Sequence, residues 1–193
     1  PNIKIGVVDP RSHKLIKKYL PLIDFFIVDS IEMNDFWLNF EKPIHTYYEF
    51  PDIQPSEKIH SLKKTITIGY HGNKVHLVSI FPRLTKALEI LGDKYQIKLK
   101  AVYNIKELGY WEIGRPKNIL IQDIQWSEDS YLQELSECDI GIIPSLVPIK
   151  KNSKHKTKVS KFFLGNDDDY LLRFKMLSNP GRMIVFSRLH IPV

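Results

Sequence analysis

Thr65-Ile66-Thr67-Ile68-Gly69-Tyr70-His71-Gly72-Asn73-Lys74-Val75-His76 decides how the rest of the chain is read. Thr65 to Tyr70 is β-branched, aromatic and short, the composition of a strand. Gly69 and Gly72 bracket a loop, and helical spacing begins at Val75. Leu77, Ile80, Leu84, Leu88 and Leu91 then form one stripe, which predicts a helix over 75–91 stopped by Gly92. A strand running through glycines into a helix is half of a β-α-β unit.

The same grammar extends in both directions. Downstream, 96–103 alternates as a strand and 118–124 reads as another. Ser127 opens a helix through Ser136, and Asp139-Ile-Gly-Ile-Ile-Pro144 is a buried strand. Upstream, Ile3–Val8, Asp24–Asp29 and Pro43–Phe50 read as strands, separated by helices over 12–22 and from a Ser30 cap to Phe40. The expected class is α/β: Rossmann-like parallel sheets with helices on both faces. Residues 51–63 are polar, Pro-containing and without period, as in a linker. The boundaries that follow are a first domain over 1–50, a linker over 51–64 and a second domain over 65–193.

The chain has 193 residues and a net charge of +6. Lys150 to Lys161 holds six Lys and no acid, so the basicity is local and the remainder is balanced. That run is either a solvated loop or a contact for an anionic membrane surface. Cys138 is alone, which excludes an internal disulfide and favours a reducing compartment. No apolar run approaches the roughly 20 residues of a membrane span, and the start shows no signal-peptide core. A cytoplasmic location, with or without peripheral membrane contact, is the expectation.

Three strand-to-helix loops are expected on one rim of the second domain, where open α/β sheets bind ligands. The first is Gly69 to Lys74, with His71, Gly72, Asn73 and Lys74 as candidate phosphate contacts. The second ends at Ser145, which lacks the flanking glycines of a hydrolase elbow. The third is Ser178-Asn179-Pro180-Gly181-Arg182 with Lys175, a loop opening a helix that favours an anion through free N–H groups and the helix dipole. Each loop alone is equally well a structural turn; their convergence carries the reading. Trp126 follows a strand end and is placed to border a nucleobase. Asp167-Asp168-Asp169 fits no calcium loop, and His71 with His76 lacks further ligands for a metal.

Residues 65–193 resemble the donor-binding C-terminal domain of a GT-B-fold glycosyltransferase, of the kind related to glycogen and sucrose synthases. Four pieces carry the resemblance in the family's order. They are Ile66 to Gly72 with His76, the helix and strand to Tyr103, Trp126 to Ser145, and the last segment ending Ile191-Pro192-Val193. Residues 24–50 resemble the end of the acceptor domain. The resemblance implies transfer of a sugar from a nucleotide-diphosphate sugar to a glycan, lipid or small-molecule acceptor, as in polysaccharide biosynthesis. It implies no cofactor and no metal, the loop Gly69 to Lys74 near the diphosphate, and the amides of Asn179 to Arg182 facing the leaving group. His190 stands near the family's usual glycine, and the paired glutamates of its retaining members are missing, so no catalytic residue is named. The chain is expected to be part of a longer enzyme, incomplete at its end. Two other readings stand beside this one. One is a non-catalytic Rossmann-like module that binds anionic ligand, nucleic acid or membrane through its Lys-rich loop, although no aromatic residues interleave that loop. The other is a sugar-nucleotide epimerase.

Overall fold

The computed structural model describes residues 3–48, 51–55, 57–61, 63–144 and 181–193. The described residues divide into two compact units, one over 3–48 and the other over 51–144 and 181–193. Each is α/β with a parallel sheet flanked by helices, a Rossmann-like architecture.

The first unit is a β-α-β-α-β run. Its strands are β1 (Gly6–Val8), β2 (Phe25–Val28) and β3 (Ile44–Thr46), in that order and all parallel. Helices α1 (His13–Tyr19) and α2 (Ile31–Trp37) connect them. Both crossovers step the same way, so right-handed connections put both helices on one face. There Ile16, Ile23, Phe26, Val28, Met33 and Trp37 close a core. Ser30 caps α2 as expected, its Oγ accepting from the Met33 N–H at 3.2 Å. Both helices end in a 3-10 turn, over Leu20–Leu22 and Leu38–Phe40.

The second unit holds β4 (Thr65–His71), β5 (Gln96–Tyr103), β6 (Leu120–Gln125) and β7 (Ile140–Gly141) in the order β6-β5-β4-β7, all parallel. The chain moves outward from β4 to β6 and then returns to the other side of β4. The strand order therefore reverses between β4 and β7, and their carboxyl ends flank the crevice where such sheets take ligands. The expected helix over 75–91 is two helices, α3 (Lys74–Ser79) and α4 (Arg83–Gly92). Pro82 divides them, because a proline inside a helix has no N–H to donate and crowds the preceding turn. After the short α5 (Ile105–Leu108), α6 (Tyr131–Ser136) follows with Ser130, not Ser127, at its N-cap.

Helix α7 (Gly181–Arg188) packs its Val185 and Phe186 with Leu189 against Val102, Leu135 and Cys138. It ends in a Schellman-type turn: the Ile191 N–H donates to the Phe186 carbonyl and that of His190 to Ser187. His190 takes the left-handed φ of 53° at the position where glycine is usual. Ile191–Val193, expected to start a strand, makes one sheet-like bond, from the Gly141 N–H to the Pro192 carbonyl at 2.7 Å. The stretch 51–63 carries no helix or strand among its described residues but is tied to this unit. Ile53 is buried in its core, Lys58 donates to the carbonyls of Ser136 and Cys138, and Lys63 pairs with Asp139 at 2.7 Å. No described helix is long and apolar enough to cross a membrane.

Candidate anion site at the strand-order reversal

The site begins with the alternation of β4. Successive residues of a strand face opposite sides, so Gly69 and His71 share one face and Ile68 and Tyr70 the other. Gly72 follows at φ 136°, a conformation that side chains rarely adopt. Its N–H donates to the Val102 carbonyl at 3.1 Å, fixing the turn to β5. Asn73 then caps α3: its Oδ1 accepts from the Val75 N–H at 2.9 Å and its carbonyl from the His76 N–H at 3.0 Å.

These bonds revise the expectation for this loop. Asn73 takes the N–H groups of Val75 and His76 in the first turn of α3, which leaves fewer of them for a phosphate. Lys74, expected to face phosphate, turns to the opposite task. Its ammonium donates to the Leu108 carbonyl and, at 3.4 Å, to that of Tyr110, clasping the segment after α5. Replacing it tests the assignment. Lys74→Met should lower unfolding free energy by about 1–2 kcal/mol through two orphaned carbonyls, with anion affinity unchanged within about threefold. A hundredfold loss of affinity, about 2.7 kcal/mol on the affinity scale, would return Lys74 to the site.

What the loop does provide is room for Arg182. A methyl group at Gly72 would lie 3.4 Å from Arg182 Cδ, 3.6 Å from its Nη1 and 3.1 Å from the Tyr70 hydroxyl. The guanidinium of α7 therefore lies across bare backbone at the end of β4. Tyr70 is fully buried and donates to the Asn73 carbonyl at 2.6 Å. Burial pushes its hydroxyl far above the ordinary phenol range, against the Arg182 guanidinium, whose charge and hydrogen bond to the hydroxyl both pull it down. His71 is 9% exposed, its ring 5.4 Å from that of Phe186 and 6.0 Å from that of Tyr131. Burial takes His71 down to about 4; a hydrogen bond to the Arg182 main chain works upward and the guanidinium charge downward. His76 is also brought to about 4, by burial and then by the same guanidinium. Both imidazoles are neutral at pH 7.

Three atoms of this cluster are buried with no hydrogen-bond partner among the described residues: Arg182 Nη1, His71 Nε2 and His76 Nδ1. Such groups normally find partners, and an unmet one costs on the order of 1–3 kcal/mol. Lys100 shows what a satisfied cation looks like in this fold. It is 3% exposed and holds Glu134 at 2.8 Å together with Glu137. Asp139 is spent on Lys63 and the Thr67 N–H, and Asp123 on Arg115 and Tyr103. Among the described residues no carboxylate pairs with Arg182, and these surroundings suit an anion that brings acceptor oxygens.

Trp126 lies on the same rim, 39% exposed, with its N–H on the Tyr103 carbonyl at 2.9 Å. Its ring is 6.1 Å from Tyr131, so Trp126, Tyr131, His71 and Phe186 form a connected row of rings. The structure thus brings together Gly69, His71, Gly72, Asn73, Gly181 and Arg182 in one region of the second unit. Ser145, Lys175, Ser178, Asn179, the run Lys150–Lys161 and Asp167–Asp169 lie outside the described residues. Tyr70 and His76 are additions: each sits inside an apolar pattern, and only the position of Arg182 gives them a polar task. No three of His, Cys, Asp and Glu gather as a metal site among the described residues. No family model and no curated protein matches this chain.

Proposed function

We propose that this chain is the donor-binding part of a glycosyltransferase that moves a sugar from a nucleotide-diphosphate sugar to an acceptor. The observation that carries the reading is Nη1 of Arg182, buried and without a hydrogen-bond partner among the described residues, at the reversal of strand order. A diphosphate would supply the charge and the acceptor that no described residue gives this Nη1. A fixed positive charge on a rigid helix also favours the negative charge that grows on a departing diphosphate, without reorganisation during the reaction. The faces of Trp126 and Tyr131 suit a base or sugar ring. No general base is assigned, and the acceptor is left as a glycan, lipid or small molecule.

Nucleoside diphosphates provide the test. Uridine, guanosine and adenosine diphosphate at about 100 times Kd should each raise unfolding free energy by about 2.7 kcal/mol if bound. For a chain of this size that is about 5–10 °C in Tm. At least one should do so, and Arg182→Gln should remove the shift. A panel that leaves Tm unmoved sinks the donor-binding reading.

A further inference from the structure

We infer that His71 and His76 are the proton acceptors of this site, so that a dianion enters Arg182's surroundings together with protons taken from solution. This rests on the reading of the site as one for a diphosphate group. It goes further by adding His76 to the contacts and by setting the charge state in which the site is occupied.

The geometry carries the argument. Two imidazoles from different elements, one closing β4 and one on α3, lie within the field of a single guanidinium from α7, which sits against Gly72 between them in sequence. Each has a ring nitrogen that is buried and unpartnered. A neutral imidazole is a donor at one nitrogen only, whereas an imidazolium donates from both. A dianion beside Arg182 would thus gain donors if either ring took up a proton.

The charges around the rings permit it. The Arg182 guanidinium is the charge that both histidines feel, and among the described residues no carboxylate contributes at either. From β4 the neighbour is the Tyr70 hydroxyl, which stays neutral; from α6 it is the Tyr131 ring, whose hydroxyl burial also holds protonated. Lys74, on the helix of His76, is held by Leu108 and Tyr110. In the free chain burial and Arg182 keep both rings neutral down to about 4. A bound dianion cancels the guanidinium field and accepts from the imidazolium, and both effects raise the ring pKa values. Between the free and bound values, binding takes up protons.

Sulfate is the probe, because it keeps both charges across this range and adds no titration of its own. Its binding to the 193-residue chain is measured by calorimetry at pH 6 in several buffers of different ionisation enthalpy. The expected result is an uptake of between half a proton and two protons per sulfate. Affinity should rise about 3- to 100-fold for each pH unit on the acid side of pH 7, in step with the number of protons taken up. His76→Gln should remove part of the uptake while Arg182 still binds sulfate, and Arg182→Gln should abolish binding. Should either variant fail to fold, the wild-type proton count decides alone. Sulfate binding with no proton uptake, or with affinity flat in pH, overturns the inference while leaving donor binding intact. Absence of sulfate binding also overturns it, and the nucleoside diphosphate panel then shows whether the donor-binding reading falls too.

Discussion

Taken from pH 7 to pH 5 without sulfate or phosphate, the second unit should lose about 4 kcal/mol of stability. His71 and His76 supply the loss. Each has an ordinary value of 6.5 in the unfolded chain and about 4 in the folded one. Between those values the unfolded state binds a proton that the folded state does not, so stability is fully present above about 6.5 and falls as pH drops toward 4. Each ring contributes on the order of 2 kcal/mol between pH 7 and 5. Asp139 and Glu137 act with the same sign at lower pH. Their carboxyls are held below the ordinary range, Glu137 by its bond to Lys100, and Asp139 by Lys63 and the Thr67 N–H against burial. Urea unfolding followed by Trp111 and Trp126 fluorescence in a Trp37→Phe background isolates this unit. The double variant His71→Gln, His76→Gln should flatten the pH 7 to 5 segment, and sulfate should restore stability to the unsubstituted chain. A curve that stays level over that range contradicts the burial of two neutral imidazoles.

How much of this was legible beforehand depends on what kind of interaction fixes each part. Strand β4, its glycine loop and β5 follow from alternation and β-branching, and Ser30 declares itself as a cap. The split at Pro82 was also written in the sequence, but the leucine stripe ran on past it and favoured one helix. The length of β7 was not legible. The apolar run 139–144 is the same on paper whether two residues or six join the ladder, and partners decide it. The ties of 51–63 are single side-chain bonds from Lys58, His60 and Lys63, which impose no period. At the site, the glycines and Arg182 were readable as loop chemistry. The resting place of Lys74 was not legible, because position gives a lysine's root and not its tip, and the flexible stem reaches Leu108. His76 was read only as half of a metal pair that lacked further ligands, because nothing in its spacing shows that the cation of Arg182 lies near it.

The largest single-residue effect should come from Phe186, because its ring is what seats α7 on the sheet. Gly69 and Gly141 are paired across β4 and β7. A methyl group at Gly141 would come within 2.7 Å of the Phe186 ring, and one at Gly69 within 3.3 Å of it and 2.8 Å of Cys138 Sγ. The two glycines thus make a bare patch on which a fully buried ring lies. Phe186→Ala removes that contact and should cost about 3–5 kcal/mol. Gly141→Ala presses from the other side and should cost about 1–3 kcal/mol. If one seat explains both, the losses are not additive. Gly141→Ala combined with Phe186→Leu should recover 1 kcal/mol or more relative to the sum of the singles, measured by urea unfolding. The consequence reaches the anion site, since Arg182 stands four residues before Phe186 and shares its face of α7. A chain with Phe186→Leu, compared with the parent at equal distance below its own Tm, should show at least threefold weaker sulfate binding. Additive losses, or sulfate affinity untouched by the change of ring, would mean that the glycine pair and Phe186 do not hold Arg182 in place.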